Sequence, residues 1–182
     1  GSAWVTTSPS GSPGVAGDIL FELDASTSDA SIGLNTTSAN QRIAIPFQLG
    51  GSQNAAAGTM QIECARVGNP SSAIIGYLCA DSAGVPGAVI DSVSITCSTL
   101  STDRTRISFN LPLNALNSPT ATLWLQVYAG YATSGVDYVR IFTDPTNTYT
   151  FGTTKAYNGS AWSDVSPVEK MWFEVVGMLE TT

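Results

Sequence analysis

Residues 42–49 read Arg42-Ile43-Ala44-Ile45-Pro46-Phe47-Gln48-Leu49, and large apolar side chains occupy every second position of this stretch. Small or polar side chains lie between them. A period of two is typical of a β-strand with one buried face, because successive side chains point to opposite sides of a sheet. Proline cannot donate a hydrogen bond to a neighbouring strand, so Pro46 further predicts a sheet edge or a bulge.

Similar short apolar stretches, each bounded by turn residues, recur along the chain. They predict strands in residues 18–23, 42–49, 59–67, 73–80, 89–96, 104–111, 121–129, 138–143 and 170–177. No segment shows a sustained helical period, and strands without intervening helices must pair antiparallel in two packed sheets. The sequence therefore predicts an all-β fold, an antiparallel two-sheet jelly-roll β-sandwich. We expect its interior to contain Ile43, Ile45, Phe47, Ile62, Ile75, Tyr77, Phe109, Leu123, Leu125, Trp172 and Val175.

The chain of 182 residues is long enough for one domain with a sizeable core. Residues 11–16 are rich in Gly, Ser and Pro, and Gly1-Ser2 resembles a cloning remnant. We therefore expect residues 1–16 to be a tag remnant and flexible leading segment, and residues 17–182 to form a single β-sandwich domain. No apolar run is long enough to cross a bilayer, and no signal peptide is visible.

Charged residues make up only 12% of the chain, and the formal net charge is −7 with seven Lys and Arg. An acidic surface without a basic cluster argues against a nucleic-acid partner, because phosphates need cationic side chains. It also disfavours docking to anionic membranes. The sequence contains no histidine, which removes the commonest general base and a common ligand of catalytic zinc.

Fourteen Asp and Glu residues could supply a carboxylate pair of the kind that glycosidases use. Most of them lie beside turn residues, where a carboxylate caps the turn through bonds to the backbone. No phosphate-binding loop, nucleophile elbow or metal-binding helix motif is present, so we expect no enzymatic activity and no catalytic residue. Oxygen ligands for calcium could come from one acidic cluster, whose spacing matches no recognised loop. This cluster comprises Asp18, Glu22, Asp24 and Asp29.

The three cysteines, Cys64, Cys79 and Cys97, match no zinc-binding spacing. If a turn is centred near residues 71–72, Cys64 and Cys79 lie opposite each other on paired strands. Their α-carbons would then be within about 7 Å, the outer limit for a bridge. This placement predicts neighbouring thiols or a disulfide. The alternative is that both residues are small buried hydrophobes, with Cys97 in the same layer.

Aromatic residues are concentrated between residues 131 and 162, and Asp and Asn residues interleave with them. Aromatic rings stack on the C–H faces of sugars, while Asp and Asn bind hydroxyl groups. Several of the rings lie in a predicted long connection, where binding residues concentrate. The predicted carbohydrate-binding residues are Tyr149, Tyr157, Trp162, Asp144 and Asn158. The alternative is that these rings only plug the sandwich and keep their polar tips in water.

Three stretches of the sequence carry turn and strand signatures that occur together in a known kind of domain. Residues 64–72 read as a strand and a turn, and residues 77–90 place Gly84-Val85-Pro86-Gly87 after Asp81. Residues 158–163 place a Gly-containing turn and Trp162 before a final strand with a central Phe173. Together they resemble the jelly-roll accessory domain of bacterial surface proteins and of phage tail-fibre and adhesin proteins, which is similar to discoidin and carbohydrate-binding-module sandwiches. The resemblance covers residues 40–177.

The resemblance implies a non-catalytic module that works outside the cytoplasm, on a cell surface or a virion. One possible function is ligand binding or adhesion, in which the module holds a glycan or cell-surface polysaccharide as part of a larger protein. The other is a structural role in a phage fibre, spike or decoration protein or a surface appendage, where the rings contact a neighbouring subunit of a homo-oligomer. We expect no membrane insertion in either case. An exposed, concave aromatic platform with Asp or Asn at its rim favours the first function, and a flat apolar patch repeated about a symmetry axis favours the second.

Overall fold

The computed structural model describes residues 18–22, 30–34, 41–49, 54–111, 117–118, 120–131, 134–144, 151–165 and 170–179. These residues form thirteen strands and one short 3-10 helix, Cys97–Thr99, with no α-helix among them. The strands are β1 (Asp18–Glu22), β2 (Ser31–Leu34), β3 (Arg42–Phe47), β4 (Ala55–Val67), β5 (Ala73–Ser82), β6 (Val85–Thr96), β7 (Thr105–Asn110), β8 (Leu123–Ala129), β9 (Tyr138–Asp144), β10 (Lys155–Tyr157), β11 (Trp162–Asp164), β12 (Lys170–Met171) and β13 (Phe173–Leu179).

The strands form two antiparallel sheets. Sheet A has the order β1-β13-β4-β9-β12, with β2 also paired to β9 and β7 also paired to β4. Sheet B has the order β11-β10-β3-β8-β5-β6. One buried apolar cluster contains side chains from both sheets, such as Ile45 and Leu125 of sheet B and Ile62 and Val175 of sheet A. The prediction of an all-β, two-sheet antiparallel sandwich is therefore confirmed, while the jelly-roll topology stays a prediction.

Most of the predicted interior lies between the sheets, but three predicted members do not. Ile75 and Tyr77 of β5 are only half-buried, because their neighbour Gly76 is the residue that faces the core. A β-carbon on Gly76 would lie 2.5 Å from the ring of Phe109 in sheet A. Alternation then turns Ile75 and Tyr77 to the opposite side of sheet B. Trp172 is buried, yet it lies outside the main core cluster.

The predicted hairpin between β4 and β5 is wrong. β4 pairs with β13, β7 and β9, whereas β5 pairs with β6 and β8, so residues 68–72 cross from sheet A to sheet B. Cys64 packs in the core between the sheets, and Cys79 packs in a separate cluster with Ala44 and Trp124. All three cysteines are free. The predicted cross-strand pair of Cys64 and Cys79 is therefore wrong as well, because the turn joins two sheets rather than two paired strands.

Candidate ligand-binding face

One side of sheet B points away from the core and bears aromatic side chains. In β3, Ile43 and Ile45 belong to the core cluster, so Arg42 and Ala44 project to the other side. The same alternation applies along β5, β8, β10 and β11. We call this side of sheet B the outer face. It bears Arg42, Ala44, Tyr77, Cys79, Trp124, Gln126, Tyr128, Tyr157 and Trp162.

Five adjacent strands each contribute one half-buried side chain to a row across the outer face. Tyr157 and Trp162 are cross-strand partners whose ring centroids lie 5.2 Å apart. The Cζ atom of Arg42 lies 5.3 Å from the centroid of Tyr157 and 4.8 Å from that of Tyr128. The rings of Tyr128 and Tyr77 follow, with centroids 6.4 Å apart. Because neighbouring strands lie about 4.8 Å apart, this aromatic row is about 19 Å long.

A buried cluster supports the aromatic row. Ala44, Cys79 and Trp124 pack together on the outer face, and the partly buried rings of Tyr77 and Trp162 pack against them. The Nε1 group of Trp124 donates a hydrogen bond of 2.8 Å to a carboxylate oxygen of Asp81, which satisfies the polar group of a nearly inaccessible ring. These contacts fix the positions of the two rings that touch the cluster.

The β10–β11 hairpin brings Tyr157 and Trp162 together. Asn158 follows β10, and its Oδ1 accepts hydrogen bonds from the backbone N–H groups of Ser160, at 2.9 Å, and Ala161, at 3.0 Å. Gly159 adopts a φ of 100°, which an L side chain rarely tolerates, so a glycine at this turn position is structurally required. Asn158 therefore shapes the turn that sets the register between the two rings.

An ion pair closes the other end of this hairpin. The Nζ atom of Lys155 lies 2.6 Å from a carboxylate oxygen of Asp164, which also accepts a hydrogen bond from Thr153 at 2.8 Å. The hydrogen bond from Lys155 lowers the pKa of Asp164 below its usual value. The charge of Lys155 is consequently neutralised on the outer face.

Arg42 has no such anionic partner among the described residues. Its guanidinium lies over two rings, and its Nε atom is buried without a hydrogen-bond partner in the described part of the chain. No described residue accepts a hydrogen bond from its terminal nitrogens, and the side chain is partly exposed. The middle of the aromatic row thus presents an uncompensated positive charge.

The structure brings together two of the five predicted carbohydrate-binding residues. Tyr157 and Trp162 lie in contact on the outer face, and Asn158 is the turn residue between them. Asp144 lies in sheet A, where it is buried opposite Lys170, so it does not join the rings on the outer face. Tyr149 lies outside the described residues.

Sequence reasoning missed three members of the aromatic row, namely Arg42, Tyr128 and Tyr77. Tyr128 lies between the core residues Val127 and Ala129, Tyr77 lies between the buried Gly76 and Leu78, and Arg42 directly precedes the core residue Ile43. At such outward positions an ordinary solvated strand has a small polar side chain. Large rings and a cation at these positions were a usable signal. The missing information was that β3, β8 and β5 are neighbours, which the sequence did not reveal.

The cysteines supply no reactive group to this face. Burial raises the pKa of Cys64 to about 12 and that of Cys97 to about 11. Burial also raises the pKa of Cys79 to about 11, although the nearby charge of Arg42 opposes the rise. Thiols with such pKa values are almost entirely protonated at neutral pH and are poor nucleophiles.

The opposite surface, on sheet A, is organised differently. Glu63 forms ion pairs with Arg104 and with Arg106, the latter at 3.7 Å. The guanidinium of Arg106 lies 4.0 Å from the ring centroid of Trp172, while those of Arg104 and Arg140 both lie over Phe142. The rings of this surface are covered by the protein's own cations, which leaves little ring area for a ligand.

The described residues bear on two further features, a metal site and a membrane-spanning helix. They contain no group of three or more His, Cys, Asp or Glu side chains that could hold a metal ion. Of the predicted calcium cluster, only the backbone of Asp18 and Glu22 is described, while Asp24 and Asp29 lie outside the described residues. Within the same residues, no helix has the length and apolar character that crossing a membrane requires.

Comparisons of the chain with protein-family models, with curated proteins and with solved structures find no match. The aromatic row on the outer face of sheet B is therefore the feature from which a function can be argued.

Proposed function

We propose that this chain is a non-catalytic extracellular module for ligand binding or adhesion, and that it binds carbohydrate on the aromatic row as part of a larger protein. The observation that supports this proposal is the row itself, in which four rings and one guanidinium from five adjacent strands lie side by side. All five side chains are partly exposed, so a ligand can reach them.

The chemistry of the row suits sugars. A ring supplies rigid apolar contact area at a small entropic cost, because only two side-chain torsions have to be fixed. Sugar C–H groups can pack on such rings, while the tyrosine hydroxyls of Tyr77, Tyr128 and Tyr157 can bond to sugar hydroxyls. A row about 19 Å long along one sheet can contact several consecutive sugar units.

Binding by one module is expected to be weak. A Kd in the micromolar to millimolar range corresponds to about −8 to −4 kcal/mol. Several copies on one surface would raise the avidity without new contacts, because binding of the first copy raises the effective concentration of the others. Weak single-site binding combined with multivalency is the behaviour of an adhesion module.

The test is a glycan array followed by titration calorimetry with the best ligand. Tyr157→Ala and Tyr77→Ala should each weaken binding by about tenfold, because each removes one stacking face. The matched control is Tyr138→Ala, which removes a half-buried tyrosine from sheet A and should preserve the affinity. Thermal midpoints are measured for all variants, so that loss of binding can be separated from loss of fold. Full binding by both folded variants of the row would show that the site is elsewhere.

A second candidate is a structural domain of a virion or surface appendage. Tyr, Trp and Arg are also the residues that dominate protein–protein interfaces. The outer face continues onto β6, an edge strand whose Val89 is 54% exposed. An unpaired edge strand beside an aromatic face could pair with a neighbouring subunit. Light scattering that shows a stable oligomer, together with no binding on a broad glycan array, would favour this second function.

A further inference from the structure

The distribution of paired and unpaired cations over the domain points to the class of glycan. All seven Lys and Arg residues lie in the described part of the chain. Arg104, Arg106 and Lys155 form ion pairs with carboxylates, and Arg66 and Lys170 donate hydrogen bonds to backbone carbonyl groups. Only Arg42 and Arg140 have a buried Nε atom without a partner in the described residues. Of these two, only Arg42 lies on the outer face of sheet B.

The position of Arg42 within the row is central. Tyr157 and Trp162 lie on one side of it, and Tyr128 and Tyr77 lie on the other. The guanidinium lies over the two nearest rings, so its apolar flat surfaces contact them and its terminal N–H groups are left for a ligand. A guanidinium presents two parallel N–H donors that match the two oxygens of a carboxylate.

We propose that the ligand is an anionic polysaccharide with a carboxylated sugar inside the chain. This inference rests on the proposed carbohydrate-binding function. The carboxylate pairs with the terminal nitrogens of Arg42, and the preceding and following sugars contact the rings on either side. The presence of two rings on each side of the charge favours an internal uronic acid. A terminal acidic sugar would leave half of the row without a ligand.

The net charge of −7 does not oppose this pairing at close range. Charges farther than about 8 Å from the ligand are largely screened at physiological salt. The carboxylate of Asp164 on the same face is paired with Lys155, and that of Asp81 accepts the hydrogen bond from Trp124. Among the side chains of the aromatic row, Arg42 carries the one charge, so it is the group with which a bound carboxylate would pair.

The test uses alginate, polygalacturonate, hyaluronan and glucuronoxylan, each beside its carboxyl-reduced neutral form, at 150 mM salt. The folded protein should bind at least one acidic polymer more tightly than its reduced form, by a factor on the order of ten to a hundred, as expected for a charge-assisted hydrogen-bonded pair. In Arg42→Gln that ratio should approach one. Arg42→Lys should give an intermediate ratio, because it retains the charge without the paired donors.

Arg140→Gln is the matched control, because it removes a stacked cation with an unpaired Nε from sheet A. It should retain the wild-type ratio, which excludes a general effect of net charge. The wild-type protein could bind acidic and reduced polymers with equal affinity, and Tyr157→Ala could lose binding to both kinds of polymer. That result would overturn the role of Arg42 and leave the proposed function intact. Selective binding to glycans with a terminal sialic acid would overturn the internal placement. Absence of binding to every polymer and every array glycan would overturn both proposals.

Discussion

Replacing Gly76 by alanine should destabilise the domain at a contact between the two sheets. Gly76 lies in β5 of sheet B, and its missing β-carbon would lie 2.5 Å from two atoms of the Phe109 ring in β7 of sheet A. Carbon atoms at optimal separation are about 3.5–4.0 Å apart, so the ring would have to retreat by about 1 Å. Phe109 is fully buried in the main core cluster, so its neighbours would have to move with it.

The expected loss follows from two opposing terms. Overpacking of a core costs about 1–3 kcal/mol. Alanine recovers about 0.5–1 kcal/mol of the backbone entropy that glycine loses on folding. The net loss is about 0–2.5 kcal/mol, and a domain of this size loses about 2–4 °C in thermal midpoint per kcal/mol. Calorimetry should therefore show a midpoint lower by up to about 10 °C, and a higher midpoint would refute the reasoning.

A double-mutant cycle identifies the ring as the cause. Phe109→Leu removes the ring, so the added methyl of Gly76→Ala should cost less in that background, with a coupling of at least about 0.5 kcal/mol. Gly84→Ala is the control. Gly84 has a φ of 81°, and a β-carbon added there would meet nothing within 4 Å. The stability that Gly84→Ala loses therefore arises from backbone strain, and this loss should be additive with that of Phe109→Leu. Strict additivity of Gly76→Ala and Phe109→Leu would show that the contact does not limit packing.

Other predictions concern the thiols and the hairpin. Burial raises the pKa values of the cysteines to about 11–12 only in the folded state. The contribution of the protonated thiols to the free energy of unfolding should therefore be fully present below pH 9 and fall as pH rises toward 11. Urea midpoints that are equal at pH 8 and pH 10.5 would contradict this prediction. A thiol reagent at pH 8 should label all three cysteines in urea and label the native protein slowly. Asn158→Ala should lower the free energy of unfolding by about 0.5–1.5 kcal/mol and weaken glycan binding, because two exposed turn N–H groups lose their acceptor. Asn158→Asp retains an acceptor and should preserve the free energy of unfolding.

The local alternation of the sequence predicted individual strands well. In β3, Ile43, Ile45 and Phe47 are all fully buried, as the period of two requires. In β5 the same reasoning failed, because Ile75 and Tyr77 are large and apolar while the inward residue between them is a glycine. The inward side of β5 was recognisable only after Phe109 of the other sheet was known to occupy the space above Gly76.

The pairing of strands could not be predicted in the same way. Residues 68–72 contain ordinary turn residues, and such residues can close a hairpin or cross between sheets. The choice depends on the strands with which the flanking segments pair, here β13, β7 and β9 for β4, and β6 and β8 for β5. The short strands β10 and β11 have three residues each, which is too few for a visible period. The ring pair of Tyr157 and Trp162 was therefore assigned to a long connection.

The two outer surfaces of the sandwich use the same residue types to opposite effect. On sheet A, the buried ring of Trp172 is covered by Arg106, whose charge is in turn paired with Glu63, so this ring is closed to a ligand. On sheet B, Arg42 lies between two tyrosine rings without a described acidic partner, and the rings remain partly exposed. Contact with the rings of Tyr128 and Tyr157 stabilises the guanidinium of Arg42 and restricts its position before any ligand binds. A carboxylate that binds there meets a preorganised donor, so less entropy is lost on forming the paired hydrogen bonds.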